Sequence, residues 1–124
     1  MTKEIEEKYK VKFIRTLGHQ GDIWFHEIES LPENLRELKT LTVARGEATG
    51  HHHTFRRESK LKLLALPNEQ EPTFIDLKGE SILEHQEHKE AVFSPEKLIG
   101  KGAILITREL EYNPFLDEIR KTVD

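Results

Sequence analysis

The chain has 124 residues, of which 34% are charged and 35% hydrophobic, and a formal net charge of −4. That length suits one domain with a modest core, and the acidic balance excludes a general attraction to nucleic acid or to anionic membranes. Cysteine is absent, which excludes disulfides, thiolate metal sites and thiol catalysis.

Residues 1–8 are charged, lack the apolar run of a signal peptide, and read as a polar arm or a short helical turn. No stretch approaches the ~18 apolar residues of a membrane span, so the expected setting is the cytoplasm. From Tyr9 to Phe13 apolar and basic residues alternate, the period of a half-buried strand. Residues 17–22, with Gly18 and Gly21, read as a turn. Residues 23–28 are strand formers with apolar side chains on both faces, so Trp24 and Phe25 are expected in the core. Pro32 breaks the pattern. Residues 38–44 predict a third strand, with a helix over 33–39 as the competing reading.

Further strands are predicted over residues 60–66, 73–77, 80–85, 88–93 and 103–110. The count is about eight or nine, with turn signals between them, which predicts a mainly β single domain. The architecture expected is an antiparallel barrel or sandwich over residues 9–112. A tail over 113–124 carries Phe115, Leu116, Ile119 and Val123 at helical spacing.

Five of the seven histidines fall in two short segments, His51-His52-His53 and Glu84-His85-Gln86-Glu87-His88. On a strand His51 and His53 share a face and His52 takes the other, so His52 is expected toward solvent. An H-x-H strand is half of a three-histidine metal site. His85 and His88 complete it if Gln86-Glu87 forms a hairpin turn, or if the segment is one helical turn. The metal ligands expected are therefore His51, His53, His85 and His88. Glu47 and Glu87 are the candidate catalytic bases, with Glu58 and Glu84 as further oxygen ligands or partners for an imidazole. The bland alternative is a solvated strand face and a charged hairpin tip. Arg56, Arg57, Lys60 and Lys62 form a basic strip that suits a solvated strand better than an RNA phosphate contact. No P-loop and no nucleophile-elbow serine is present.

Six segments, Gln20-Gly21-Asp22, Leu31-Pro32, Gly46-Glu47-Ala48-Thr49-Gly50-His51, Leu83-x-His85-x-Glu87-His88, Arg108-Glu109-x-Glu111-Tyr112 and Val123-Asp124, carry a resemblance. They resemble a functionally uncharacterised group of small bacterial and phage proteins over about residues 18–124. That resemblance implies that the histidine segments are shared features and brings no activity with it. Gly46, His51, His53 and Glu58 are more loosely similar to the first motif of cupins, which implies a small β-barrel. The second cupin motif, a histidine after a proline-glycine turn, is missing.

The function expected is metal binding, with zinc first and manganese, iron or nickel as alternates, in a hydrolase or lyase acting on a small molecule. The second reading is a non-catalytic module that uses the same β face for a nucleic-acid or protein partner. Assembly into a homo-oligomer fits either.

Overall fold

Strand-forming runs at residues 23–28 and 103–108 alternate large apolar side chains toward both faces, so each strand must be covered twice. The computed structural model describes residues 2–45 and 52–108. A helix, α1 (Thr2–Tyr9), leads into β1 (Phe13–Gln20) and β2 (Ile23–Ile28). Strands β3 (Arg36–Leu38), β4 (Thr42–Arg45), β5 (His52–Phe55) and β6 (Leu61–Ala65) follow. After β7 (Phe74–Leu77), β8 (Ser81–Glu84) and β9 (Ala91–Phe93), a 3-10 turn at Pro95–Lys97 leads to β10 (Ala103–Arg108).

These strands form two antiparallel sheets, one ordered β1-β2-β10-β7-β6-β3 and the other β4-β5-β8-β9. Among the described residues the sheets do not close on each other, so the arrangement is a sandwich and the barrel expectation is corrected. The reason is visible at the edges. Strands β1 and β9 end their sheets without pairing to each other, and β1 carries irregularities between Phe13 and Arg15 and between Thr16 and Gly18. Such bulges twist an edge and discourage further pairing.

Between the sheets lie Ile23, Phe25, Phe55, Leu63, Ile75, Leu83, Ile104 and Ile106. The opposite face of the larger sheet packs Trp24, Ile28, Phe74 and Leu105 against Ile5 and Tyr9. Ile5 and Tyr9 are four apart and so share one helix face. The polar N-terminal stretch is thus a helix with a buried stripe. Lys10, at φ 57, ends it, and the Glu6 carboxylate accepts from the Phe13 N–H at 2.9 Å. The strand expected from Tyr9 accordingly begins only at Phe13.

Two further expectations shift. Gly18 sits inside β1, and the chain reverses only at Gly21-Asp22, where Gly21 has φ +63. The strand expected over 38–44 is split into β3 and β4, which belong to different sheets; the helix over 33–39 does not form. The C-terminal tail expected over 113–124 lies outside the described residues. No helix among the described residues is long and apolar enough to cross a membrane.

Burial of β2 forces its two polar residues to find partners. His26, fully buried, meets Thr16 Oγ1 at 3.0 Å through Nδ1 and Thr107 Oγ1 at 2.8 Å through Nε2. Glu27, also fully buried, accepts from Arg15 Nε at 3.0 Å and from the Gly100 N–H at 2.7 Å. Desolvation lowers the His26 pKa from 6.5 to about 4. A histidine held neutral in the fold but free to protonate when unfolded contributes stability that is complete above pH 6.5 and declines as pH falls toward 4. Urea unfolding followed between pH 7.5 and 4 will show this loss, at most about 1.4 kcal/mol per pH unit for one proton. In His26→Asn the slope over that window will be shallower.

Candidate functional site

The site sits at one end of the sandwich, where the β1–β2 turn of the larger sheet meets β5 and the β8–β9 connection of the smaller one. Alternation along β5 turns His53 and Phe55 inward, while His52 and Thr54 are half-buried on the other face. The backbone N–H of His52 donates to Gln86 Oε1 at 3.0 Å, and its side-chain Nδ1 has no partner among the described residues. The expectation that His53 and His52 take opposite faces is met, although His52 is not fully in solvent. His51 and Glu47 lie outside the described residues.

Strand β5 pairs with β8 so that Thr54 opposes Glu84 and Phe55 opposes Leu83. Continuing that register sets His85 opposite His53, and their ring centroids are 4.3 Å apart. Residues 85–90 join β8 to β9, so Gln86-Glu87 is not a two-residue hairpin turn. The longer connection still folds His88 back over His85, with centroids 4.6 Å apart, and brings it to 6.3 Å from His53. Three of the four expected ligands, His53, His85 and His88, are therefore gathered.

From the other sheet the β1–β2 turn contributes Gln20, Gly21 and Asp22, none of which sequence reasoning assigned to the site. Gln20 is buried, and its Nε2 donates to the carbonyls of Leu83 at 3.0 Å and Lys89 at 2.9 Å. Its amide orientation is thereby fixed, since an oxygen there would face two acceptors. Oε1 consequently faces His53 Nδ1 at 2.8 Å, so Nδ1 must donate, and the neutral ring has its lone pair on Nε2. That nitrogen lies 3.8 Å from Asp22 Oδ1, too far for a direct hydrogen bond. His85 is arranged the opposite way: its Nδ1 accepts from the Glu87 N–H at 3.0 Å, so the neutral ring carries its proton on Nε2.

Burial first, then the neighbouring His85, lowers the His53 pKa to about 4; Asp22 raises it, while His88 and Arg108 add to the lowering. Glu87 is exposed on the connection. Glu84 pairs instead with Arg56 at 2.9 Å, which also meets Glu90 at 2.6 Å, so the basic strip is partly neutralised on its own sheet. Glu58 lies in the turn after β5, and its charge acts on Arg56. As the side chains stand, no three His, Asp or Glu groups among the described residues converge tightly enough to hold an ion.

Residues 19–95 match the family model DUF8820, a domain of unknown function. The chain belongs to that family. The DUF8820 segment contains Gln20, Gly21, Asp22, His53, His85 and His88 together, and it ends before β10 and Arg108. No curated protein and no solved structure matches the chain. The turn Gln20-Gly21-Asp22 was readable as a polar pair around a glycine, but only the facing of two sheets makes it part of a site.

Gly21 is required by more than its φ. A Cβ there would lie 2.9 Å from His88 Nε2 and 3.3 Å from His53 Cε1. Gly21→Ala will therefore displace the His88 ring and strain a left-handed residue, costing about 1–2 kcal/mol. Urea unfolding measures the cost, and the imidazole resonances of His88 and His53 report the displacement.

Proposed function

We propose that the chain binds a divalent metal ion at the end of the sandwich, with His53 as the fixed ligand. His88, His85 and Asp22 complete the set. The observation that carries this reading is the orientation of His53, whose unprotonated Nε2 faces Asp22 Oδ1 across 3.8 Å. Across a tetrahedral zinc ion with bonds near 2.1 Å, ligand atoms stand about 3.4 Å apart, so a small inward movement of the carboxylate closes the gap. Asp22 is 61% exposed and can make that movement. The space beside it is the one a Cβ on Gly21 would fill.

The donor set is nitrogen and oxygen without sulfur, which suits zinc first and manganese, iron or nickel after it. His88 is exposed and His85 half-buried, so both rings can turn toward His53 at the cost of side-chain freedom. His85 joins as a ligand through Nε2 only if its proton moves to Nδ1, with loss of the Glu87 N–H contact. The loose likeness of Gly46, His51, His53 and Glu58 to the first cupin motif points the same way.

A bound divalent ion would supply an acidified water and polarise a carbonyl or phosphoryl oxygen. In a hydrolase or lyase of this kind Glu87, on the connection beside His85, and Glu47 are the candidate bases. The substrate would be a small molecule reached from solvent, since the connection and Asp22 are exposed.

Protein prepared without a histidine tag will bind about one zinc ion per chain by elemental analysis and isothermal titration. Zinc will raise its melting temperature by several degrees through preferential binding to the folded state. His53→Ala will abolish both effects, and Asp22→Asn will weaken the affinity. Well under one ion per chain, with no response to zinc, manganese or nickel, would overturn the reading and leave the cluster as a polar binding surface.

A further inference from the structure

The Gln20 side chain is 2% exposed and uses both ends of its amide. Nε2 donates to Leu83 O at 3.0 Å and Lys89 O at 2.9 Å, and Oε1 accepts from His53 Nδ1 at 2.8 Å. The two carbonyls lie on either side of the segment that carries His85 and His88. One side chain from the larger sheet thus touches the fixed histidine and both roots of the connection that holds the movable ones.

We propose that Gln20 is the positioning residue of the histidine site. It holds His53 in the Nδ1–H tautomer with Nε2 open toward Asp22, and it pins the 85–90 connection through Leu83 O just before it and Lys89 O near its end. The consequence for metal affinity rests on the metal-binding reading; the tautomer and the pinning stand without any ion.

The chemistry selects this residue type. Among neutral side chains only Asn and Gln accept at one atom and donate twice from the other, and Asn is one methylene shorter. A buried hydroxyl could not serve three partners in these directions. Nor could a carboxyl group make both donations. Removing the amide leaves two carbonyls and one ring N–H in a site almost closed to water, and each must then seek another partner. His53 has no reason to keep its Nδ1–H form once Oε1 is gone, and the lone pair on Nε2 is lost in proportion. Partners that orient a ligating histidine in this way commonly affect affinity by about 10–100-fold.

The test uses the full chain, tag-free, 15N-labelled and in chelator at pH 7.5, with His53 assigned by the signal missing in His53→Gln. Long-range proton–nitrogen spectra of the wild type are expected to show His53 protonated at Nδ1. Gln20→Met, of similar length, is expected to give a tautomer mixture at His53 and about tenfold faster backbone amide exchange over residues 85–90, the equivalent of one hydrogen bond. Gln20→Glu keeps an acceptor for His53 and loses at least one donation. It is expected to retain the tautomer and still to exchange faster.

Titrated with zinc, Gln20→Met is expected to bind about 10–100-fold more weakly than the wild type. The proposal is overturned if wild-type His53 is protonated at Nε2, if Gln20→Met leaves its tautomer unchanged, or if Gln20→Glu does not alter exchange. Should Gln20→Met fail to fold, the wild-type spectrum and Gln20→Glu decide. The expected tautomers without any zinc binding would sink the metal reading and leave this one standing.

Discussion

Strand β2 is paired on both sides and covered on both faces, and the rest of the molecule is arranged around that burial. It lies between β1 and β10, with the second sheet over one face and α1 over the other. Every one of its residues is buried. A strand so enclosed can keep polar side chains only if neighbours satisfy them, because an unpartnered buried group costs about 1–3 kcal/mol. Thr16 and Thr107 do this for His26, and Arg15 with the Gly100 N–H does it for Glu27. The second set also fixes the approach to β10, since Arg15 donates to Lys97 O as well. At the far end of the same hairpin stand Gln20, Gly21 and Asp22. The site owes its rigid half to the most deeply buried part of the fold.

That rigid half meets a looser one. His53 and Gln20 are almost closed to solvent, whereas His88 and Asp22 are open to it. A ring that cannot move beside two groups that can is a geometry in which one ligand sets the position and the others adapt. The neighbouring charges oppose each other, with Asp22 favouring a charged His53 and Arg108 disfavouring it. Burial, followed by His85, outweighs Asp22, so the ring stays neutral and its lone pair stays available at ordinary pH.

Much of this was legible in the residues. Runs of strand-forming and apolar residues located the strands at 23–28, 61–65, 74–77 and 103–108, whose side chains face two cores. Histidine clustering located three of the residues that meet. What was hidden depended on contacts distant in sequence. The Ile5 and Tyr9 stripe is too short to stand out in a charged octet, and only the outer face of the larger sheet makes it a helix worth forming. The break at Lys39 to Leu41 reflects a change of sheet, which no local preference records. Gln20 looked like one residue of a glycine turn, since its three partners are 33 to 69 positions away. His85 and His88 were expected to meet only through a two-residue hairpin turn or one helical turn; neither forms, and a longer connection brings their ring centroids to 4.6 Å.

The chain order of the sheets has a bearing on when this protein can become folded during its synthesis. β10 lies in the middle of the larger sheet, between β2 and β7, and pairs Ile23 with Arg108. Until it arrives, β2 and β7 face each other across an empty lane, with open hydrogen-bonding edges and exposed apolar faces. A nascent chain that has emerged only through β9 therefore holds every ligand candidate described above and yet lacks the strand that joins its two halves. Such non-local closure is slow and leaves unpaired edges exposed to other chains meanwhile. Emergence of β10, rather than completion of the histidine segments, is the step that lets the larger sheet close.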